Sequence, residues 1–324
     1  MHKMSDNISL SKKLQDTAIK LIKENVSLRK GENVLLITDR ISCPVFTAIS
    51  AAVDQIGGTS TQAFISKDRE HSSPIPYLRN ACINSDVIIG VTDKSISHSP
   101  EVYEARRNGT RVVSMPGITE ELFIKGLEVD ISVIKRINSK LEKKLENAKI
   151  AKVFSPSGTV AEIRISDSKF DFSDNGDASY PGALINIPFG EVYSFISFCN
   201  GNIAIDRWRN EIHPKDKAII KVENGKIVGW NTAASKYVMN QLNAGECGLN
   251  ISEFGIGTNP FIRNPIGNTL HDEKIFGSVH FAFGAGKNKC PIHEDFVVLE
   301  PTVIVDGEEL IKRGKFLFNL GIKQ

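Results

Sequence analysis

A histidine and an aspartate occur close together near the end of the chain, at a spacing that suits metal binding. The segment Ile292-His293-Glu294-Asp295-Phe296-Val297-Val298 ends in an apolar run and predicts a strand. Because side chains alternate across a strand, His293 and Asp295 are expected on one face and Glu294 on the other. One imidazole and one carboxylate would therefore project side by side.

A second histidine lies upstream in an apolar segment, Ser278-Val279-His280-Phe281-Ala282-Phe283-Gly284. Strand geometry puts His280 and Ala282 on one face and the larger apolar side chains on the other, so the histidine has room for a ligand. Each histidine taken alone is more often a hydrogen-bonded core residue. Two imidazoles and a carboxylate on neighbouring strands, however, suit a divalent transition metal.

Two glutamates extend this candidate metal site. Glu253 lies in Ile251-Ser252-Glu253-Phe254-Gly255-Ile256-Gly257, where a bare carboxylate is costly to bury, so we expect it to be ion-paired, metal-bound or at a cleft. Glu191 follows the turn Pro188-Phe189-Gly190 and is equally compatible with an ordinary turn carboxylate. The acidic run Asp272-Glu273-Lys274 contains its own lysine, which favours local charge compensation.

The hydrophobic pattern predicts the elements that position these side chains. In the first half of the chain, short runs that are apolar throughout alternate with segments of helical spacing. This alternation predicts a parallel sheet covered on both faces, that is, an α/β doubly wound domain. The strand segments are Val34–Thr38, Thr61–Ile65, Asp86–Val91 and Gly109–Met115, and a later charged helix has an apolar stripe at Ile134, Ile137, Leu141 and Leu145.

The pattern changes after Lys152. Residues 159–165 alternate with period two, and Asn224-Gly225 and Asp306-Gly307 are hairpin signals. A helix is expected over roughly Thr232 to Leu242. We therefore predict an N-terminal Rossmann-like α/β domain over 1–152 and a sheet-rich α+β metal-binding catalytic domain over 153–324.

Composition and charge exclude several classes of protein. The chain has 324 residues, 41% hydrophobic and 24% charged, which is ordinary for a globular protein of two domains. Its 40 basic and 38 acidic residues leave a net charge of +2, so no overall field favours nucleic acid or an anionic membrane. No apolar run suits a signal peptide or a membrane span, and we expect a soluble cytoplasmic protein.

The cysteines and the missing motifs narrow the chemistry further. Five cysteines are scattered without a Cys-x-x-Cys pair, which argues against a disulfide framework or a thiolate zinc site and favours buried free thiols. The chain also lacks the Gly-x-Gly-x-x-Gly, P-loop, Gly-x-Ser-x-Gly and His-Glu-x-x-His motifs, so dinucleotide binding is unsupported. The cysteines are Cys43, Cys82, Cys199, Cys247 and Cys290.

The order of several motifs resembles the aminopeptidase T family of metallopeptidases. The segment Leu28-Arg29-Lys30-Gly31-Glu32-Asn33-Val34-Leu35 extends the resemblance into the N-terminal half, so it covers nearly the whole chain. The C-terminal motifs are Pro-Phe-Gly-Glu-Val at 188–192, Ser-Glu-Phe-Gly-Ile-Gly-Thr-Asn-Pro at 252–260, Asp-Glu-Lys at 272–274, Gly-Ser-Val-His-Phe-Ala-Phe-Gly at 277–284 and His-Glu-Asp at 293–295.

The resemblance implies a two-domain enzyme, commonly a homodimer, that acts on a small molecule or short peptide. The family's metal ligands fall on Glu191, Glu253, His280, His293 and Asp295. These ligands suit two ions of Zn, Co or Mn, one activating water and the other polarising a carbonyl, with Glu253 as the catalytic general base. The first hypothesis is thus a metal-dependent hydrolase that removes an N-terminal residue or cleaves a related amide.

One departure from the peptidases motivates an alternative. The peptidases carry a tyrosine soon after the histidine strand, but Gly284-Ala285-Gly286-Lys287-Asn288-Lys289 contains none, and His280 and His293 are only 13 positions apart. Lys287 or Lys289 could replace it as an oxyanion donor, although solvated lysines are the commoner case in such loops.

The same resemblance includes 2,5-dihydroxypyridine 5,6-dioxygenase, a ring-cleaving enzyme with one Fe(II) held by two histidines and an aspartate. That triad would fall on His280, His293 and Asp295, and it leaves positions open for substrate and dioxygen. The alternative hypothesis is therefore a mononuclear non-heme Fe(II) oxygenase acting on an aromatic or amino-acid-derived substrate. A third hypothesis is a non-catalytic relative that binds no metal.

The pattern does not specify a substrate pocket. Arg207 and Arg209 could grip a substrate carboxylate or pair with acidic neighbours. Aromatic residues could line an apolar pocket, but at such spacing they are more often core residues. They are Phe195, Phe198, Trp208, Trp230 and Phe283.

Overall fold

A computed structural model describes residues 10–69, 73–165, 172–242, 246–286, 290 and 292–321. The chain packs as two compact units, Met1–Ile131 with Gly176–Pro188, and Ser132–Asn175 with Phe189–Gln324. These units differ from the predicted domains 1–152 and 153–324 in two ways. First, the helix over 131–145 packs its apolar stripe in the second unit. Second, residues 176–188 belong to the first unit, and the sequence pattern gives no signal of this return.

The described helices vary from one turn to four turns in length. None of them is long and apolar enough to cross a membrane. A π-helical turn, Leu21–Asn25, continues the first helix. In chain order the helices are α1 Lys12–Lys20, α2 Pro44–Ile56, α3 Arg79–Ile83, α4 Pro100–Arg107, α5 Glu120–Gly126, α6 Ile131–Leu145, α7 Ala233–Leu242 and α8 Thr269–Asp272.

The described strands vary from two to seven residues in length. In chain order they are β1 Asn33–Thr38, β2 Thr59–Phe64, β3 Val87–Val91, β4 Arg111–Ser114, β5 Ile150–Phe154, β6 Val160–Arg164, β7 Phe172–Asp174, β8 Leu184–Asn186, β9 Glu191–Phe195, β10 Cys199–Ile205, β11 Ala218–Glu223, β12 Lys226–Trp230, β13 Ile251–Gly257, β14 Val279–Gly284, β15 His293–Val298, β16 Thr302–Val305, β17 Glu308–Lys312 and β18 Lys315–Phe316.

The first unit is built on a parallel sheet with the strand order β2-β1-β3-β4-β8. Val87–Val91 is buried throughout, as expected of a strand covered on both faces. Between β1 and β2, α2 begins with a proline in its first turn and ends at Gly57, whose φ of 91° gives the left-handed cap that glycine favours. The predicted α/β class with a parallel sheet is confirmed, whereas the fifth strand, β8, was not predicted.

The second unit contains two antiparallel sheets, which confirms its sheet-rich character. One has the order β12-β11-β10-β6-β5-β16-β17-β18 and the other β15-β14-β13-β9-β7. Both predicted hairpin turns join neighbouring strands of the first of these sheets. Asn224 and Gly225 have φ of 48° and 78°, and Asp306 and Gly307 have φ of 46° and 91°, as in turns that need two positive φ values.

The helix α6 is amphipathic, with its apolar stripe at the predicted positions. Ile134, Ile137, Leu141 and Leu145 are buried, while the lysines between them face solvent. Three of the four belong to the hydrophobic core that the second unit forms with its two sheets. The charged run is thus the exposed face of a packed helix.

Two cysteines correct the prediction of free thiols. Cys43, Cys82 and Cys199 are buried and free, as expected. Cys247 and Cys290, however, form a disulfide with a Cα–Cα distance of 5.9 Å. The two residues are 43 positions apart and only the fold brings them together, which is why their scattered spacing gave no signal of pairing.

We expect Leu141→Ala to lower the free energy of unfolding by about 2–5 kcal/mol, because it removes a fully buried side chain from the core of the second unit and leaves a cavity. Urea denaturation followed by circular dichroism would measure the change. Lys143→Ala, on the exposed face of the same helix, is the matched control and should change stability by less than about 0.5 kcal/mol. Equal effects of the two substitutions would contradict this packing of α6.

Candidate metal centre

The two faces of the sheet β15-β14-β13-β9-β7 differ in polarity. On one face, side chains such as Phe254, Phe281 and Phe296 lie in the hydrophobic core of the second unit. Since side chains alternate along each strand, the intervening positions face the other way. Those positions carry all five residues predicted as metal ligands, Glu191, Glu253, His280, His293 and Asp295.

Small residues make room between these polar side chains. Glu253 pairs across the strands with Ala282, and Ala282 pairs with Asp295, so a methyl group separates the two carboxylates. His280 pairs with Gly255, where an added Cβ would lie 2.0 Å from the imidazole Cε1. The imidazole of His280 therefore lies directly over the backbone of Gly255, and no larger residue fits there.

His280 is fully buried, and its Nε2 faces two carboxylates. Nε2 lies 3.3 Å from Glu253 Oε1 and 3.5 Å from Glu191 Oε2. Burial alone would lower the pKa of His280, but the hydrogen bond to Glu253 and the charges of Glu191, Glu273 and Asp295 outweigh it and raise this pKa to about 9. These carboxylates therefore favour the protonated form of the ring.

His293 and Asp295 project from the same face of β15, as predicted. His293 Nε2 lies 3.3 Å from Asp295 Oδ2, and Nδ1 lies 2.8 Å from the backbone oxygen of Ala285. Burial opposes the charged form of both groups, but their mutual attraction prevails. It raises the pKa of His293 well above its ordinary value and holds the pKa of Asp295 well below its own.

Glu294 faces the other way and anchors β15 from behind. Its carboxylate accepts a hydrogen bond of 2.8 Å from Trp208 Nε1 and pairs with Arg209 at 2.5 Å. β15 lies at the edge of its sheet, and its Val297 also exchanges backbone hydrogen bonds with Arg207. The strand that carries His293 and Asp295 is thus held on its outer side as well.

Lys274 is a buried cation on the carboxylate face, which the sequence analysis assigned to local charge compensation. It does pair with its neighbour Glu273, at 2.5 Å, but its Nζ also lies 2.6 Å from Glu191 Oε1, and the side chain has no exposed surface. Burial disfavours the ammonium, yet the charges of Glu191 and Glu273 raise the pKa of Lys274 above its ordinary value.

Two groups of three side chains bring possible ligand atoms close enough for one ion. One group contains Glu253, His293 and Asp295, and the other contains Glu273, His280 and Asp295; in each, the ligand atoms lie within 4.8 Å of one another. Asp295 belongs to both groups, while Glu191 belongs to neither. Glu273 is the ligand candidate that sequence reasoning missed, although it lies in the Asp-Glu-Lys motif of the resemblance.

The charge balance of this face favours a bound cation. Four carboxylates, those of Glu191, Glu253, Glu273 and Asp295, face one ammonium, that of Lys274, and the imidazoles of His280 and His293. Burial raises the pKa of Glu253 and brings the pKa of Glu273 to about 8, so both resist ionisation without further positive charge. A divalent ion would supply that charge.

Buried polar atoms that lack a hydrogen-bond partner also favour a bound cation at this face. Among the described residues these include Glu191 Oε2, Asp295 Oδ1 and His280 Nδ1. Buried polar atoms normally have partners, so unsatisfied atoms at one place indicate a missing ion or water. Imidazole and carboxylate donors fit a transition metal, and the residues present therefore fit the metal that the sequence analysis predicts.

The remaining predicted residues divide between the core and the surface. Trp208 and Phe283 are buried core residues, whereas Trp230 is half exposed. Arg209 pairs with Glu294, which agrees with the expectation of acidic neighbours. Lys287 and Lys289 lie outside the described residues.

The chain carries a parallel α/β unit and an antiparallel sheet, and one face of that sheet holds two histidines and several carboxylates. Such a set of donor atoms is typical of metalloenzymes. A family model described as 2,5-dihydroxypyridine 5,6-dioxygenase (NicX) matches residues 18–318, and the chain belongs to this family. No curated protein sequence matches the chain.

Two solved structures are similar in fold. The structure of 2,5-dihydroxypyridine dioxygenase from Pseudomonas putida KT2440 is 16% identical, with a TM-score of 0.77 over 94% of this chain and 96% of that one. Wild-type AmpT from Thermus thermophilus is 15% identical, with a TM-score of 0.65 over 94% of this chain and 99% of that one. The predicted likeness to both kinds of enzyme is confirmed.

We expect Glu294→Ala to weaken divalent metal binding about 10- to 100-fold, because the outer side of β15 would lose the anchor that positions His293 and Asp295. Isothermal titration calorimetry with Mn(II) would measure the affinity. Glu300→Ala, which removes an exposed glutamate paired with Arg313, is the matched control and should leave it unchanged. An unchanged affinity in Glu294→Ala would remove this positioning role.

We also expect metal binding at pH 7 to release protons, including up to about one each from His280 and His293, because both histidines have raised pKa values and must be deprotonated to bind an ion. Protons compete with the metal, so the affinity should fall as the pH falls below the pKa of about 9 of His280. Calorimetry in buffers of different ionisation enthalpy counts the protons. A release near zero would show that neither imidazole is a ligand.

Proposed function

We propose that this protein is a non-heme iron oxygenase that opens a hydroxylated aromatic ring, with His280, His293 and Asp295 as the ligands of one Fe(II). The observation that carries the proposal is that these three side chains lie on one sheet face, with Asp295 in a possible ligand group with each histidine, in a chain that matches the dioxygenase family over residues 18–318. A hydroxylated nitrogen heterocycle is the proposed substrate class, after the family's description.

A ferrous ion held by two histidines and one carboxylate supplies positions at which an aromatic diol-like substrate and dioxygen can meet. The chain's own residues prepare this place. Gly255 leaves room for the imidazole of His280, the methyl group of Ala282 lies between Glu253 and Asp295, and the Glu294 anchor keeps His293 and Asp295 in position. The phenylalanines on the opposite face make the sheet a rigid support for the site.

Glu253 is the proposed proton acceptor. Its carboxylate is buried, and burial raises its pKa above the ordinary value, which favours uptake of a proton. Oε1 lies within 3.3 Å of His280 Nε2, so the carboxylate is next to a ligand of the proposed centre. We propose that Glu253 takes the proton of a ring hydroxyl and returns it to the product.

A metal-dependent hydrolase is the second candidate function, and one observation favours it. Two groups of ligand atoms share Asp295, an arrangement that suits a carboxylate bridging two ions of Zn, Co or Mn. Glu253 would then be the general base for attack on an amide. The dioxygenase description of the family model supports the oxygenase over the hydrolase, and the absence of a tyrosine from residues 284–289 removes one feature expected of the hydrolase.

The protein's setting is proposed from the resemblance and the composition alone. We propose a homodimer that acts on a small molecule in the cytoplasm and binds neither nucleic acid nor membrane.

The oxygenase proposal predicts that anaerobically purified protein, reconstituted with Fe(II), consumes oxygen when hydroxylated pyridines or benzenes are added. His280→Ala, His293→Ala and Asp295→Ala should each lower the rate at least about 100-fold by removing a ligand. Glu253→Gln should keep its iron but lose about 10²- to 10⁴-fold in kcat, as expected for a proton acceptor. An oxygen electrode measures the rates, and bound iron is counted in parallel.

His213→Ala is the control, because His213 is an exposed histidine away from the carboxylate face. It should leave both iron content and oxygen uptake unchanged. No oxygen uptake across the panel, together with release of free amine from aminoacyl substrates by the Zn, Co or Mn form, would replace the oxygenase by the hydrolase. Failure to bind any metal would leave only the non-catalytic alternative.

A further inference from the structure

Two aromatic side chains lie on the carboxylate face, next to the candidate metal ligands. Tyr193 and Phe195 follow Glu191 at alternate positions of β9, so all three side chains project from one face of the sheet. Phe195 also pairs across the strands with Glu253, and directly paired residues share a face. Both rings are half-buried, so each still presents part of its surface beside the charged groups.

The two rings meet edge to face, which holds Phe195 in a fixed orientation. Their centroids are 5.9 Å apart, and their planes cross at 77°. Because an aromatic ring is negative on its face and positive at its edge, this arrangement is favourable for the pair. A flat substrate ring can therefore pack on a preformed aromatic surface next to Glu253.

A bulge in β13 places a hydroxyl beside this aromatic surface. The pairing of β13 with β14 shifts between Ile251 and Glu253, so Ser252 is an extra residue in the strand. Ile251 and Phe254 both lie in the hydrophobic core. Since neighbouring side chains alternate between the faces, Ser252 after the first and Glu253 before the second both project from the opposite face. The hydroxyl of Ser252 therefore lies on the carboxylate face.

This hydroxyl is buried next to the ring of Phe195. Ser252 is 5% exposed, and among the described residues its Oγ has no hydrogen-bond partner. Gly286 lies against both side chains, because a Cβ added to it would be 2.9 Å from Ser252 Cβ and 3.4 Å from Phe195 Cδ1. Buried hydroxyls normally have a partner, so this one indicates a place for a polar atom of a ligand.

We infer that Phe195 and Ser252 form the subsite that recognises the substrate ring beside the metal centre. The ring packs on Phe195, and the hydroxyl of Ser252 bonds to the ring nitrogen of the proposed heterocyclic substrate. A hydroxyl can donate or accept, so it suits a ring nitrogen with or without a proton. This inference rests on the proposed function, and it adds the residues that distinguish a nitrogen heterocycle from an all-carbon ring.

Binding of two ring probes tests the inference without relying on turnover. Mn(II)-loaded protein is titrated anaerobically by calorimetry with 2,5-dihydroxypyridine and with hydroquinone, which has the same arrangement of hydroxyls but no ring nitrogen. Wild type should prefer the heterocycle. Ser252→Ala should weaken binding of the heterocycle about 3- to 10-fold, as expected for one lost hydrogen bond, and change binding of hydroquinone less than about 2-fold.

A second variant at each position and matched controls complete the design. Ser252→Cys keeps the size of the side chain but bonds weakly, and it should show the same selective loss. Phe195→Leu removes the aromatic surface and should weaken both probes about 3- to 10-fold, with Phe195→Met expected to do the same. The controls are Ser139→Ala on the exposed face of α6 and Phe154→Leu at an exposed position of β5, and neither should change either affinity.

Metal content is measured in every variant and should stay at the wild-type value, because the inferred subsite contacts the ring and not the ion. An unchanged preference for the heterocycle in both Ser252 variants, or equal weakening of the two probes, would overturn the role of Ser252. Unchanged affinities in both Phe195 variants would overturn the role of Phe195. Either result leaves the oxygenase proposal standing, whereas wild-type protein that holds its metal but binds neither probe would overturn the inference and count against ring cleavage.

Discussion

Compensation of buried negative charge is the constraint on which the carboxylate face depends. Glu191, Glu253 and Glu273 are each nearly inaccessible to solvent, and a cluster of unpaired carboxylates is strongly unfavourable in such a place. Lys274 neutralises part of this charge by contacting two of them at once. The rest must come from protonated imidazoles, from protons on the carboxyls, or from a metal ion. The pKa values of His280 and Glu273 are both raised, which means that each group holds its proton more tightly than usual. A divalent ion would compensate the negative charge without these protons.

The sheet can carry this charge because one of its faces is apolar and packs in the core, while the other face holds the charged side chains. Phe254, Phe281 and Phe296 bury the back of the sheet in the core, so the strands cannot rotate or slip by one residue without exposing them. That register fixes which side chains meet on the front. It also explains why Gly255 lies under His280, where any side chain would displace the imidazole. The stability of the core and the geometry of the site therefore both follow from the alternation of apolar and polar side chains along these strands.

How much the sequence predicts depends on how local the signal is. The alternation that places His293 and Asp295 on one face acts within three residues and could be predicted, as could the turns at 224–225 and 306–307. The ion pair of Lys274 with Glu191 joins residues 83 positions apart, and only the packed strands bring them together. The adjacent Glu273 gave a sufficient local partner, so the second partner could not be inferred. The disulfide of Cys247 and Cys290 was missed for the same reason.

Likeness of fold does not by itself separate oxygen chemistry from hydrolysis here, because both kinds of protein superimpose on this chain at 15–16% identity. The distinction must come from the charges on the sheet face. Hydrolysis by paired ions needs carboxylates that are available to bridge and flank two metals. In this chain Glu191 and Glu273 both contact the ammonium of Lys274, and His293 lies 3.3 Å from Asp295 and 2.8 Å from the backbone oxygen of Ala285. Oxygen chemistry uses a single ion with open positions, so the number of metal ions that bind to this face is the property that separates the two proposals.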